Sequence, residues 1–128
     1  MGLRYERRIG KELHRHIGQD KFIKIEHNPW LTYRDSFGPG NCCPDYLVWH
    51  NDYIIIVEVK LSWVEVAVEK LNALYTPVVA AAFGLMTTPL VICRNVTSES
   101  PPASHTVSAA LSSPYHLLQW PNNGHLLW

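Results

Sequence analysis

The chain has 128 residues and a mass of 14.6 kDa, the size of one domain with a single core. Hydrophobic residues make up 47% and charged residues 17%, which excludes disorder for the bulk of it. Eleven Lys and Arg balance eleven Asp and Glu, so no blanket positive field can hold a polyanion; local patches would have to do it.

One such patch opens the chain: residues 1–34 carry eight basic against four acidic residues, and the remainder is correspondingly acidic. From Leu3 to Ile17 the apolar residues Leu3, Ile9, Leu13 and Ile17 fall on one side of a helix at 100° per residue. Glu6 falls in the middle of that stripe, where a carboxylate is costly unless something pairs with it. Arg4, Arg8, Lys11 and Arg15 form a basic ridge on the opposite side, with Arg7 at its shoulder, either a solvated face or a contact to backbone phosphates. Gly18 stops the helix, and Lys21 to His27 alternates as a strand with Ile23 and Ile25 on one side. Asn28 to Pro44, with its Gly38-Pro39-Gly40 turn, holds too much Pro and Gly for regular structure and is predicted to be a loop. Its Trp30, Tyr33 and Phe37 offer stacking surface for unpaired bases or simply pack the loop down.

Two strands follow, Asp45 to His50 and Tyr53 to Lys60, joined at Asn51-Asp52; the second is apolar enough to be central in a sheet. Ser62-Trp63-Val64-Glu65 has the pattern of a capping box, so a helix is expected from Trp63 with Ala67, Leu71, Leu74 and Val78 buried. Pro77 either kinks it or stops it at Tyr75, with Thr76 capping a restart that ends near Gly84. Leu90 to Arg94 is a further strand. Beyond a polar connector from Asn95 to Ser104, a short helix at Thr106 to Leu111 and a hairpin from Tyr115 to Trp128, turning around Pro121 to Gly124, complete the chain. The fold class is therefore α/β, a mixed sheet flanked by helices, with a core over residues 1–94 and a C-terminal extension over 95–128 packed on the same domain.

If Asn51-Asp52 is a two-residue turn, His50 opposes Tyr53, and Asp45 lies directly across from Glu58. Opposed residues share a face, so the two carboxylates converge, and Lys60 projects from that same face. Two like charges across a strand pair are destabilising unless a proton or a cation sits between them, and Mg²⁺ (or Mn²⁺) suits two carboxylates plus substrate phosphate. The plainer alternative is a salt-bridged Glu58 and Lys60. Cys42, Cys43, His27 and His50 are a weaker set, for zinc, without the usual Cys spacing. Tyr46, Trp49 and Trp63 are expected in the core, and Trp120 and Trp128 in a dimer contact or simple burial.

Pro44-Asp45, a hairpin and Glu58-Val59-Lys60 resemble the signature of the PD-(D/E)XK nuclease superfamily, and the αβββαβ order over residues 1–94 matches its restriction-endonuclease-like core, followed here by a short C-terminal appendage. The resemblance implies a metal-dependent DNA endonuclease in which Asp45, Glu58 and the carbonyl of Val59 bind the metal and Lys60 orients or activates the attacking water. Glu6 resembles the helical acid that many members place at the edge of the site. Small phage-encoded nucleases and Holliday junction resolvases are similar, although their long helix often carries Gln where Lys70 stands here. Branched DNA is the substrate expected from that likeness, and a homodimer is expected because cutting two strands with one small site per chain is most simply done by two chains; Arg4, Arg7, Arg8, Lys11 and Arg15, on the side opposite Glu6, would reach flanking DNA or nothing. The alternatives are a catalytically inactive nuclease-fold protein that binds nucleic acid, or a phage assembly protein. Cys42, Cys43 and Cys93 make a poor disulfide framework, and neither a signal segment, a lipid anchor nor an unbroken apolar span is readable. A cytoplasmic protein is expected, in a host's cytoplasm if phage-encoded.

Overall fold

In the computed structural model, which describes residues 2–17 and 24–128, the apolar runs become a five-stranded mixed sheet with helices on both faces. Helix α1 (Gly2–Ile17) buries Tyr5, Ile9 and Leu13, with Glu12 and His16 on the same side, while Leu3 is 64% exposed. The buried line is thus rotated by roughly a fifth of a turn from the expected one. Tyr5 displaces Leu3 because its ring fills the core beside Trp120 and its hydroxyl donates to the Trp120 carbonyl at 2.7 Å. Glu6 consequently lies at the edge of the buried face and not at its centre. The expected Gly18 stop, the strand residues Lys21 to Ile23 and the side chain of Ile17 lie outside the described residues.

Strands β1 (Lys24–His27), β4 (Tyr46–Trp49) and β5 (Tyr53–Ser62) form an antiparallel meander in the main sheet. The register from Tyr46 opposite Val57 to Trp49 opposite Ile54 is the one a two-residue turn at Asn51-Asp52 requires. Between β1 and β4 the sequence forms a separate two-stranded sheet, β2 (Leu31–Asp35) and β3 (Gly38–Cys42), where a loop was expected. The glycines and the aspartate make this hairpin possible. Gly38 takes φ +111°, and Asp35 accepts the Phe37 N–H at 2.8 Å, which closes the turn at Ser36-Phe37. Gly40 lies against the Tyr33 ring, which any Cβ there would strike.

After β5, helix α2 (Glu65–Lys70) passes through a π turn (Leu71–Tyr75) into α3 (Thr76–Phe83). The expected capping box does not form. Ser62 is already the last residue of β5, opposite Asn95, and Val64 is an N-cap without a side-chain bond. The helix runs on through Pro77, which sits in the first turn of α3; the π turn, closed by the Thr76 N–H on the Leu71 carbonyl, rearranges the bonding just ahead of the ring. The same wide turn moves the buried line to Ala67, Leu71, Tyr75 and Val79, leaving Leu74 and Val78 half-buried. Gly84, at φ +66°, ends the run as a left-handed cap. By length and composition alone, the 19 residues Glu65–Phe83 are apolar enough to cross a membrane; here one side of them packs on the sheet.

Strand β6 (Met86–Asn95), longer than expected, runs parallel to β5, and α4 (Val107–Ser112) is capped by Thr106. The expected C-terminal hairpin is absent. Its first half becomes β7 (Leu117–Gln119), parallel to β6 at the sheet edge, and Leu127 bridges to Thr106. The final sheet order is β1-β4-β5-β6-β7. Residues expected as an appendage supply Val107, Ala110, Leu118, Trp120 and Leu126 to the core that also holds Tyr5, Ile9 and Leu13. A side chain of this kind contributes about 1.5–3 kcal/mol when fully buried, so the extension is integral to the domain.

Candidate active site

Asp45 stands one residue before β4, and Glu58 lies in the middle of β5, where its side chain is 6% exposed. The register carries Asp45 to the place opposite Glu58, and hydrogen bonds tie the two. The Asp45 N–H donates to Glu58 Oε1 at 3.3 Å, and the Val59 N–H donates to Asp45 Oδ2 at 2.7 Å. In a continued ladder, Val59 would face Pro44, which has no N–H to give. The Asp45 carboxylate therefore takes over the Val59 N–H at the point where regular pairing ends. Lys60 Nζ is 4.0 Å from Glu58 Oε2, and its side chain is 41% exposed.

Glu6 reaches this edge from α1 and is held from two sides. His27 Nε2 lies 2.7 Å from Glu6 Oε2, and the Tyr46 hydroxyl donates to the Glu6 main-chain carbonyl at 2.7 Å. The His27 and Tyr46 rings stack at 4.6 Å, so strands β1 and β4 together fix the helix at this point. Gly10 permits that close approach, because a Cβ there would overlap the Tyr46 hydroxyl.

Burial is the main cause that pushes the Asp45 carboxyl up, to about 7, and the charge of Glu58 adds to it; the Val59 N–H works the other way, and Glu6 raises it further. Glu58 is also raised, by burial, against the opposing pull of Lys60, the Asp45 N–H and Lys70. Lys70, on α2, thus acts on the same carboxylate from the helix side. Burial raises Tyr75, followed by the charge of Glu58, and it raises Cys43, where Asp45, Glu58 and Glu6 contribute too. Glu6, Asp45 and Glu58 therefore occupy one electrostatic neighbourhood, bordered by Cys43, Tyr75, Lys60 and Lys70. His27 and Tyr75 had no local sequence signal for a place here beyond their residue types; Lys70 was marked only by its place on the helix that follows Lys60.

The basic ridge divides. Arg8 and Arg15 turn to the buried Glu12, at 3.9 and 3.4 Å, and Arg8 also lies 5.9 Å over the Trp120 ring. Arg4, Arg7 and Lys11 make no ion pair among the described residues and, with Leu3, Arg8 and Asn122, line a cleft of about 630 Å³. This face stays opposed to Glu6, since rotating α1 about its axis leaves the angles between its own residues unchanged.

The zinc alternative fails on geometry. His27 stacks on Tyr46, whereas His50 stacks on Tyr53 at the far end of the β4–β5 pair, and Cys42 is buried. Among the described residues no group of three or more His, Cys, Asp or Glu is arranged to hold a metal by itself. Tyr46 is buried as expected, but Trp49 and Trp63 are only half-buried, and Trp120, at 4% exposure, belongs to the core and not to a dimer contact.

No family model matches the chain, and no curated protein matches it. Among solved structures it is similar to the small subunit of the heterodimeric restriction endonuclease R.BspD6I, with 16% identity and a TM-score of 0.35. The match covers 58% of this chain and spans 42% of that subunit's length, a likeness too slight to carry a fold or an activity across.

Proposed function

We propose that this chain is a metal-dependent deoxyribonuclease of the PD-(D/E)XK kind, an endonuclease that hydrolyses phosphodiester bonds in DNA on a restriction-endonuclease-like core. One observation carries the reading: Asp45 and Glu58 converge from two adjacent strands beside Lys60, where burial, and after it the charge of Glu58, raises the Asp45 carboxyl to about 7. Two partly buried carboxylates, with the main-chain carbonyl of Val59 next to them, are a donor set suited to Mg²⁺ or Mn²⁺, which keep water and substrate phosphate as further ligands. Glu6, steered by His27, would reach the ion through water.

Such an ion, when bound, polarises the phosphodiester and lowers the pKa of water. Asp45 and Glu58 would hold it, and the Val59 N–H keeps Asp45 in place to do so. Lys60, reaching into solvent, supplies positive charge where the attacking oxygen approaches the phosphate. Arg4, Arg7 and Lys11 would hold flanking backbone phosphates, with a smaller share from Arg8 and Arg15, whose charge is partly used by Glu12. Because one small site per chain cuts one strand, cleavage of branched DNA would be the work of a homodimer.

The test mixes the protein with plasmid and with four-way junction DNA, in Mg²⁺, in Mn²⁺ and in chelator, beside Asp45→Ala and Lys60→Ala. Cleavage that needs metal and falls at least about 100-fold in both variants is expected, the scale of losing a group that stabilises developing charge. Binding without cutting under either metal would replace the enzyme with a nucleic-acid-binding module.

A further inference from the structure

The β2–β3 hairpin takes no part in the chemistry above, yet its position relates it to the carboxylates. Leu31 pairs with Cys42, and the Asn28 N–H donates to the Asp45 carbonyl at 2.9 Å, so the same register holds on both sides of Trp30 and sets it across from Cys43. Cys43 is two residues from Asp45. Trp30 is 67% exposed, so an open indole stands at the edge of the carboxylate cluster.

Alternation then decides what lies outward from Trp30. Leu31, Tyr33 and Cys42 turn toward the core, whereas Thr32 and Arg34, opposite Asn41 and Pro39, are exposed. A shallow trough of about 500 Å³ runs over this sheet, lined by Thr32, Tyr33, Arg34, Pro39, Gly40 and Asn41. At its end Phe37 is 96% exposed on a turn closed by Asp35. An aromatic ring at each end, with hydrogen-bonding side chains and the guanidinium of Arg34 between them and the Asp35 carboxylate engaged by the Phe37 N–H, makes up the kind of surface a single strand of nucleic acid uses. Every base has a face to stack, and every phosphate is an anion. A duplex, with its bases already stacked on one another, has no use for the two rings.

We infer that the outer face of the β2–β3 hairpin is a platform for unpaired nucleotides, with Trp30 stacking on the base next to the scissile phosphate and Phe37 on a base further out. The inference rests on the nuclease reading for the meaning of the scissile phosphate, and it narrows the substrate class to DNA with a single-stranded stretch at the cut: a flap, a fork, a junction arm or a free strand.

Binding is measured by fluorescence anisotropy of the full chain in chelator, so that no cleavage occurs, with a labelled thymidine strand, an abasic strand of the same length and a blunt duplex. Trp30→Ala is expected to weaken thymidine-strand binding between about 5- and 100-fold, the range of one lost base stack. Trp30→Phe should keep most of the affinity, and Phe37→Ala should lose a smaller share. Duplex and abasic binding should be the same in all four proteins. Because Trp30 and Phe37 are exposed, circular dichroism of the variants should match the parent. The inference is overturned if Trp30→Ala holds the thymidine strand as tightly as the parent, if the parent holds the abasic strand equally well, or if it binds no single strand. Cleavage run in parallel with Mn²⁺ separates the two proposals. Stacking without cutting sinks the nuclease and leaves the platform, and cutting without any effect of Trp30 does the reverse.

Discussion

Replacing Asp45 by Asn should make the protein more stable while removing its proposed activity. The Asp45 carboxyl moves from its ordinary 3.8 to about 7, chiefly through burial and then through the charge of Glu58. A carboxyl raised in the folded state favours folding below its unfolded pKa, and the advantage is lost progressively as pH climbs to the folded value. Each pKa unit corresponds to about 1.36 kcal/mol, so a shift of three units is a penalty of about 4 kcal/mol at pH 8 as an upper bound. Water reaches part of the group and screens it, which brings the expected figure to about 2 kcal/mol. At pH 5 only about a third of the penalty has accrued. Asn keeps an acceptor for the Val59 N–H and offers Glu58 a donor in place of a like charge. For a chain of this length the expected rise in Tm is roughly 6–10 °C at pH 8 and roughly 2–3 °C at pH 5, with chelator present. Thermal unfolding followed by circular dichroism at both pH values measures it. Equal melting of parent and variant at pH 8, or the same gain at pH 5, would show that Asp45 and Glu58 do not crowd one another and would remove the argument for a cation between them.

Other outcomes follow from the same geometry. Mn²⁺ affinity, measured by titration calorimetry, should rise between pH 6 and pH 8, with release of about one proton per ion at pH 6 that falls toward zero at pH 8, because Asp45 must ionise to bind it, and Asp45→Asn should abolish the release. Glu12 accepts the Leu126 N–H at 2.9 Å and pairs with Arg8, Arg15 and His125. Burial raises its carboxyl, but these partners outweigh burial and lower it on balance. Its contribution should thus be present at neutral pH and fade as pH falls through the acid range. Glu12→Ala should cost about 2 kcal/mol in urea unfolding and release the C-terminal segment to protease. Gly10→Ala should drive the Tyr46 hydroxyl off the Glu6 carbonyl and cost roughly 1–3 kcal/mol, whereas Tyr46→Phe, which loses the bond without the clash, should cost about 1 kcal/mol. Wild-type melting for Gly10→Ala would show that α1 is free to slide at this point.

The local signals in this chain are strong where periodicity and turn length act alone. An uninterrupted run of Ile and Val marked β5 as central, the two-residue spacing at Asn51-Asp52 determined the β4–β5 register, and that register alone brought Asp45 opposite Glu58 with Lys60 beside it. The π turn, the unused capping box and the rotation of α1 were settled by contacts from distant parts of the chain. Trp120 competes for the α1 face through Tyr5, and the sheet claims Ser62 before a helix can. Gly38, Pro39 and Gly40 suggest a loop by composition, but the Tyr33 ring against Gly40 and the pull of the core on Leu31 and Cys42 turn them into a hairpin. The last strand is the clearest case. Three residues, Leu117–Gln119, have no period long enough to read, and they join the sheet because β6 presents an open edge of unpaired N–H and C=O groups that must be satisfied. Alternation and turn chemistry act within a few residues and are visible in one dimension; competition for a shared core and for open backbone groups is decided only when the chain has folded.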